Sequence, residues 1–273
     1  MTFGVLGRSL LTALFAAFVL FLYGPTLTIL VLSFQGPDGG LTFPMNGVSL
    51  HWFARLFEQQ AVGDFGGALG RSLALGCIVM ALTVVISLAA GLAFRRRFIG
   101  SGVLFTLTVA SLIIPSILVS LGIGLLFNLS GLDPTWYTSA LGAQLTWTLP
   151  FGLLIMFAVF NRLNRAWEEA ARDLGASPWQ RFRHVVLPII APSVVGVALF
   201  GFTLSYDEFA RTLLTAGSDN TLPLEIFGMT TNVTTPVLYA LGTVTTGLSV
   251  LVIAAALITI KTLRRAATTR GSG

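Results

Sequence analysis

SLALGCIVMALTVVISLAAGLAF, residues 72–94, carries no charge over 23 positions, and Arg95, Arg96 and Arg97 follow at once. As a helix it would rise about 34 Å, a little more than the roughly 30 Å hydrocarbon core of a bilayer. The arginine triplet then marks the depth at which the chain leaves lipid, because a guanidinium is costly in hydrocarbon and favoured beside headgroups. Comparable apolar runs lie at 10–33, 102–129, 136–160, 189–216 and 237–260. The expected fold is all-α, a polytopic membrane helical bundle of about six transmembrane helices forming a single domain over 1–273.

Composition agrees with lipid as the main solvent. Hydrophobic residues make up 55% of the 273 and charged ones only 10%, where a soluble domain carries about a quarter. Mean hydropathy is +0.86. Basic residues outnumber acidic ones by 16 to 11, but they form short clusters between apolar runs, not a basic face with interleaved aromatics, so nucleic acid is not an expected partner. Cys77 stands alone, and His51 and His184 have no Cys or His at ligand spacing, which leaves no disulfide and no metal site to expect. The run at 10–33 is too long for a signal peptide, and Leu30, Val31 and Leu32 stand where a cleavage site would be, so it is expected to be retained.

Arginine placement sets the orientation. Arg8, the 95–97 triplet, five arginines between the fourth and fifth runs, and Lys261, Arg264, Arg265 and Arg270 all fall on one side, which the positive-inside rule makes cytoplasmic together with both termini. Asp38, Glu58, Asp64, Asp133, Asp219 and Glu225 fall on the other. There the 35–70 loop holds an expected amphipathic surface helix, LHWFARLF at 50–57.

Between the fourth and fifth runs lies a polar stretch, NRLNRAWEEAARDLGASPWQRFRHVVLP. Residues 168–174 are good helix formers with acids at the start, and Gly175 stands where a left-handed C-cap would end them. Ser177, Pro178 and Gln180 then provide an N-cap, a first-turn proline and the third-position glutamine of a capping box. Two short helices about a glycine hinge are expected. Small Ala170 and Ala171 would let a partner approach closely, with Glu168, Glu169, Arg172 and Asp173 bonding at its rim. On spacing alone this is either a shaped docking loop or a solvated basic loop.

Glu169, Ala170, Ala171, then Gly175, then Val185, Leu187 and Pro188 resemble the E-A-A-x3-G-x9-I-x-L-P signature of ABC importer permeases, with Val185 in the isoleucine position. Ser33-Phe34, 50–53, Arg71-Ser72-Leu73, the SYDEF at 205–209, TLPL at 221–224 and IFGM at 226–229 resemble the spermidine and putrescine branch of that family. The resemblance implies the type I ABC importer permease fold, a location in the bacterial inner membrane, and a non-catalytic role. It implies that loop 161–187 forms coupling helices, with Glu168, Glu169, Ala170, Ala171, Asp173, Gly175, Ala176, Ser177 and Pro178 seated against an ATPase. It also implies partners: a homologous and distinct permease chain, two ATPase subunits that bind ATP and Mg, and a periplasmic solute-binding protein. The chain itself has no G-x-x-x-x-G-K-[ST] loop, so no nucleotide cofactor is expected in it. Permeases for ferric iron, phosphonates, thiamine or amino-acid derivatives remain alternatives on substrate, and an ATP-independent channel or secondary transporter remains one on class.

Asp207 and Glu208 lie within the fifth run, toward its outer half. They could line a water-filled path for a cation, pair with Arg211 at i+4 and i+3, or reach the outer headgroups. Tyr206, Asn128 and Trp147 are candidate path residues beside them, as is Gln144, with helix-to-helix bonding the competing role for Asn128, Gln144 and Trp147. Pro115 and Pro150 are expected to kink their helices.

Overall fold

A computed structural model describes residues 5–56, 58, 63–96, 98–232 and 235–270. Phe57 and Arg97 lie outside the described residues. Among the described residues eleven α-helices follow in order: α1 (Val5–Leu32), α2 (His51–Arg55), α3 (Phe65–Phe94), α4 (Ser101–Ala110), α5 (Ser116–Leu129), α6 (Ser139–Arg162), α7 (Ala166–Asp173), α8 (Pro178–Arg181), α9 (Leu187–Tyr206), α10 (Leu222–Asn232) and α11 (Val237–Arg270). A π-helical segment, Phe182–Val186, joins α8 to α9. Among the described residues the strand pairing is confined to one isolated bridge, Gln35 to Val48. Five helical runs among the described residues are long and apolar enough to cross a membrane: Gly7–Leu32, Phe65–Phe94, Ser139–Arg162, Pro178–Tyr206 and Val237–Leu263.

The third expected span is broken. Residues 102–129 form α4 and α5, separated by turns at 111–114, and Pro115 is the N-cap of α5 with φ −55° and ψ 131°. A kink was expected there. Proline has no N–H to give the preceding turn and pushes its predecessor out of the α region, so the helix stops and restarts. Ser111 Oγ supplies bonds at the break, to Thr108 O at 2.7 Å and to Thr146 O of α6 at 3.1 Å. Pro150 stays inside α6. The fifth span is also shorter than expected, ending at Tyr206 rather than 216. Beyond it Glu208 and Thr212 bond locally: Arg211 N donates to Glu208 Oε1 at 2.9 Å and Thr212 Oγ1 to Glu208 O at 2.8 Å, which turns the chain. The surface helix of the 35–70 loop is reduced to His51–Arg55.

The chain forms two compact units, Met1–Phe65 with Ile226–Leu248, and Gly66–Glu225 with Ser249–Gly273. In the first, fully buried Gln35 organises the loop after α1. Its amide donates to Gly40 O at 3.1 Å and accepts from Asn46 N at 2.8 Å, Trp52 Nε1 donates to Gly36 O at 3.3 Å, and Tyr239 Oη donates to Leu41 O at 2.6 Å. In the second, α3, α6 and α9 pack through glycines. A Cβ on Gly152 would lie 2.2 Å from Ser87 Oγ, and one on Gly91 2.9 Å from Met156 and Phe160. Small residues let these backbones meet where water gives no hydrophobic drive. Thr83 and Thr148 add an inter-helix bond of 2.9 Å, and Met156, Phe160, Val186, Ile190 and Val197 fill the adjoining core.

Candidate functional site

The polar loop between α6 and α9 folds as two capped helices. Asn164 Oδ1 accepts from Ala166 N at 3.0 Å and starts α7. At its other end Gly175 N donates to Arg172 O at 2.9 Å and Ala176 N to Ala171 O at 3.0 Å, the two bonds of a Schellman motif, with Gly175 at φ +83°. Ser177 caps α8: Gln180 N donates to Ser177 Oγ at 3.3 Å and Ser177 N to Gln180 Oε1 at 2.8 Å, with Pro178 in the first turn. Both expected caps are therefore present. Glu169, Ala170, Asp173, Gly175, Ser177 and Pro178 are exposed, while Glu168, Ala171 and Ala176 are half-buried. Exposed Trp167, Leu174 and Trp179 flank them, Leu174 at 89%.

Glu168 faces inward. Its carboxylate binds Arg95 at the end of α3 through both oxygens, Arg95 Nη1 to Oε2 at 3.1 Å and Nη2 to Oε1, and the pair is mostly buried with side chains 17% and 19% exposed. Arg95 also lies 5.4 Å from the Phe160 ring centre of α6, and Arg165 Nη2 donates to Arg95 O at 3.2 Å. One guanidinium so ties α3, α6 and α7 together. In the sequence Arg95 marks only topology, and no local signal places its partner 73 residues away.

Around 206–211 the two acids separate. Glu208 Oε2 accepts from Arg211 Nη1 at 3.3 Å, Ser116 Oγ of α5 accepts from the same nitrogen at 2.8 Å, and the guanidinium lies 4.6 Å from the Trp147 ring centre of α6. Arg211 is 1% exposed. A buried cation is tolerable because it has a carboxylate, a hydroxyl and an aromatic face. Asp207, at the C-cap of α9, is exposed and joins none of the described ion pairs. It borders a slot of about 310 Å³ walled by Phe200, Phe202, Val252 and Ile253, where Tyr206 stacks on Phe202 at 5.8 Å and its buried Oη has no partner.

Not every candidate joins this cluster. Asn128 is exposed and donates to Gly124 O of its own helix at 3.0 Å. Gln144 is buried and bonds Ser205 of α9 through both its amide atoms, which is the inter-helix role weighed against a path role. The residues missed were Ser116 and Ser120, one helical turn apart just after Pro115. Ser120 Oγ donates to Arg211 O at 3.1 Å and accepts from Leu214 N at 3.0 Å. Two hydroxyls at i, i+4 in an apolar helix were the available signal.

Residues 84–265, which contain the loop and the Arg211 cluster, match the family described as binding-protein-dependent transport system inner membrane component. The chain is 32% identical over 248 residues to the spermidine/putrescine transport system permease protein PotC of Haemophilus influenzae, covering 88% of this chain and 93% of the relative. It is 30% identical over 261 residues to PotC of Escherichia coli K12, covering 93% and 95%. Among solved structures, that of a bacterial ABC transporter involved in the import of the acidic polysaccharide alginate superposes with a TM-score of 0.66 at 14% identity, covering 98% of this chain and 99% of that one. The fold is that of type I ABC importer permeases, and the chain belongs to the family of binding-protein-dependent transport system inner membrane components, as a multi-pass membrane permease of the ABC class.

Proposed function

We propose that this chain, acting as one permease domain, carries spermidine, putrescine or a related organic cation from the periplasm to the cytoplasm. The observation that carries the substrate class is the likeness to the two spermidine/putrescine permeases over about nine-tenths of the chain. The free carboxylate of Asp207 supports it, since an unpaired acid beside an apolar slot suits an ammonium group on an alkyl chain. Tyr206 lines the same slot, while Glu208, Arg211 and Trp147 form the buried cluster that fixes the turn on which Asp207 sits.

Energy comes from a separate ATPase in this reading, since the sequence has no phosphate loop. Two such subunits, holding ATP and Mg, receive α7 and α8 through Ala170, Ala171 and the exposed residues around Gly175. A second, distinct permease chain and a periplasmic binding protein complete the importer, with both termini of this chain in the cytoplasm. Closure of the ATPases moves the two helices and switches access between the sides of the membrane.

Uptake of labelled spermidine and putrescine by cells that lack their own importers tests the reading. Asp207→Asn is expected to lower uptake by at least about tenfold, equivalent to about 1.4 kcal/mol. Unchanged uptake in both Asp207→Asn and Glu208→Gln would sink the polyamine assignment. Substrate-loaded binding protein should also stimulate ATP hydrolysis by the reconstituted complex, and no stimulation would favour a channel.

A further inference from the structure

A cleft of about 600 Å³ opens where α3 ends, between that end and the α7–α8 pair. Arg95, Arg96, Arg165, Arg172 and Arg181 line it, against Glu168 and Glu169, leaving a net charge of +3. Internal pairing relieves little of this. Glu168 is engaged by Arg95, Arg172 reaches Asp173 only at 4.0 Å with both side chains exposed, and Glu169 and Arg96 form none of the described ion pairs. Arg181 Nε is buried with no hydrogen-bond partner. Five guanidinia around one cleft repel one another, which is costly for the chain alone, and the cost falls if an anion occupies the space.

The positive-inside rule accounts for arginines on this side of the membrane but not for their convergence on one concavity. Arginine suits phosphate because its planar fork bonds two oxygens at once. The floor of the cleft is Leu92 and Ala93, in the last turn of a membrane-spanning helix that stops at Phe94, so the opening lies at headgroup depth. Its volume is within the range of sites that hold small ligands, about 300–1,000 Å³. The geometry points to a binding site for a phosphate group, supplied by an anionic phospholipid of the arginine-rich leaflet, whose glycerol end rests on Leu92 and Ala93.

The full-length chain, purified alone and with its ATPase, is placed in bilayer discs of phosphatidylcholine with and without phosphatidylglycerol, and the lipid that stays bound is measured by native mass spectrometry. Phosphatidylglycerol is expected to be retained about tenfold over phosphatidylcholine. The Arg96→Gln/Arg181→Gln variant is expected to retain both alike, while melting like the wild type in a neutral detergent. Equal retention of the two lipids by the wild type overturns the site. So does loss of phosphatidylglycerol when the ATPase is bound, because protein carboxylates then fill the cleft. Excess inorganic phosphate separates the two sources of the same chemistry: a lipid anchored by its tails stays, whereas displacement assigns the site to the free anion.

Discussion

The Arg211 guanidinium lies 4.6 Å from the centre of the Trp147 ring, and its Nη1 is shared between Glu208 and Ser116. Three segments of the second unit meet on one buried charge. Removing Glu208 leaves that charge under-compensated, and losing one partner of a buried pair costs about 3–5 kcal/mol. Glu208→Gln should therefore melt well below the wild type in detergent, and Glu208→Gln/Arg211→Met should recover much of the loss. A single variant as stable as the wild type would mean the cluster contributes little to the fold.

Gly175 has φ +83°, and a Cβ built there meets nothing within 4 Å. Within this chain the effect of a substitution comes from the backbone and not from crowding. A β-branched residue resists the left-handed region most, by about 1–2 kcal/mol, whereas asparagine enters it readily. Transport should be abolished in Gly175→Val and largely kept in Gly175→Asn, with both proteins inserted in the membrane at normal levels. Equal activity of the two in an uptake assay would contradict the role of the hinge.

Arg95 and Glu168 invite a charge exchange. Arg95→Glu alone puts two carboxylates together and frees α7 from α3, losing an interaction of about 1.5–3 kcal/mol. Uptake should fall in Arg95→Glu and in Glu168→Arg, and return in part when the two are combined. Failure of the double variant to exceed either single one would show that the tie itself is not what transport needs.

Gly152 lies where α6 meets α3, 2.2 Å from Ser87 Oγ if given a Cβ. Gly152→Ala should cost about 1–3 kcal/mol by overpacking. Most of that should vanish in Gly152→Ala/Ser87→Gly, which removes the obstructing side chain. Thermal melting of the three proteins decides it, and additive losses would place the strain elsewhere.

The fold was readable to the extent that it depends on local chemistry. Apolar length located the spans, and Gly175, Ser177, Pro178 and Gln180 located both caps, because each of these effects acts within one turn of helix. At Pro115 the sequence predicts a kink where the helix breaks, and it predicts a span to 216 where α9 ends at Tyr206, since apolarity does not report where backbone bonds fail. At the candidate site the sequence offered three readings of Asp207 and Glu208. Glu208 pairs with Arg211 as one of them required, but the difference between the two acids depends on Ser116 and Trp147, which lie 92 and 61 residues from Glu208 in the chain. Long-range partners of this kind leave no spacing to read.

Pro178–Tyr206 is one helical run of 29 residues, about 43 Å long. Ser177 and Asp207 flank its two ends, so continuous helix joins the capped loop to the unpaired carboxylate. Its mechanical weak point is the π-helical segment Phe182–Val186 with Pro188 just beyond it, where the ladder of backbone bonds is irregular. Stiffening that point would transmit more of any stroke applied at the loop, and softening it would absorb the stroke before it reached Asp207.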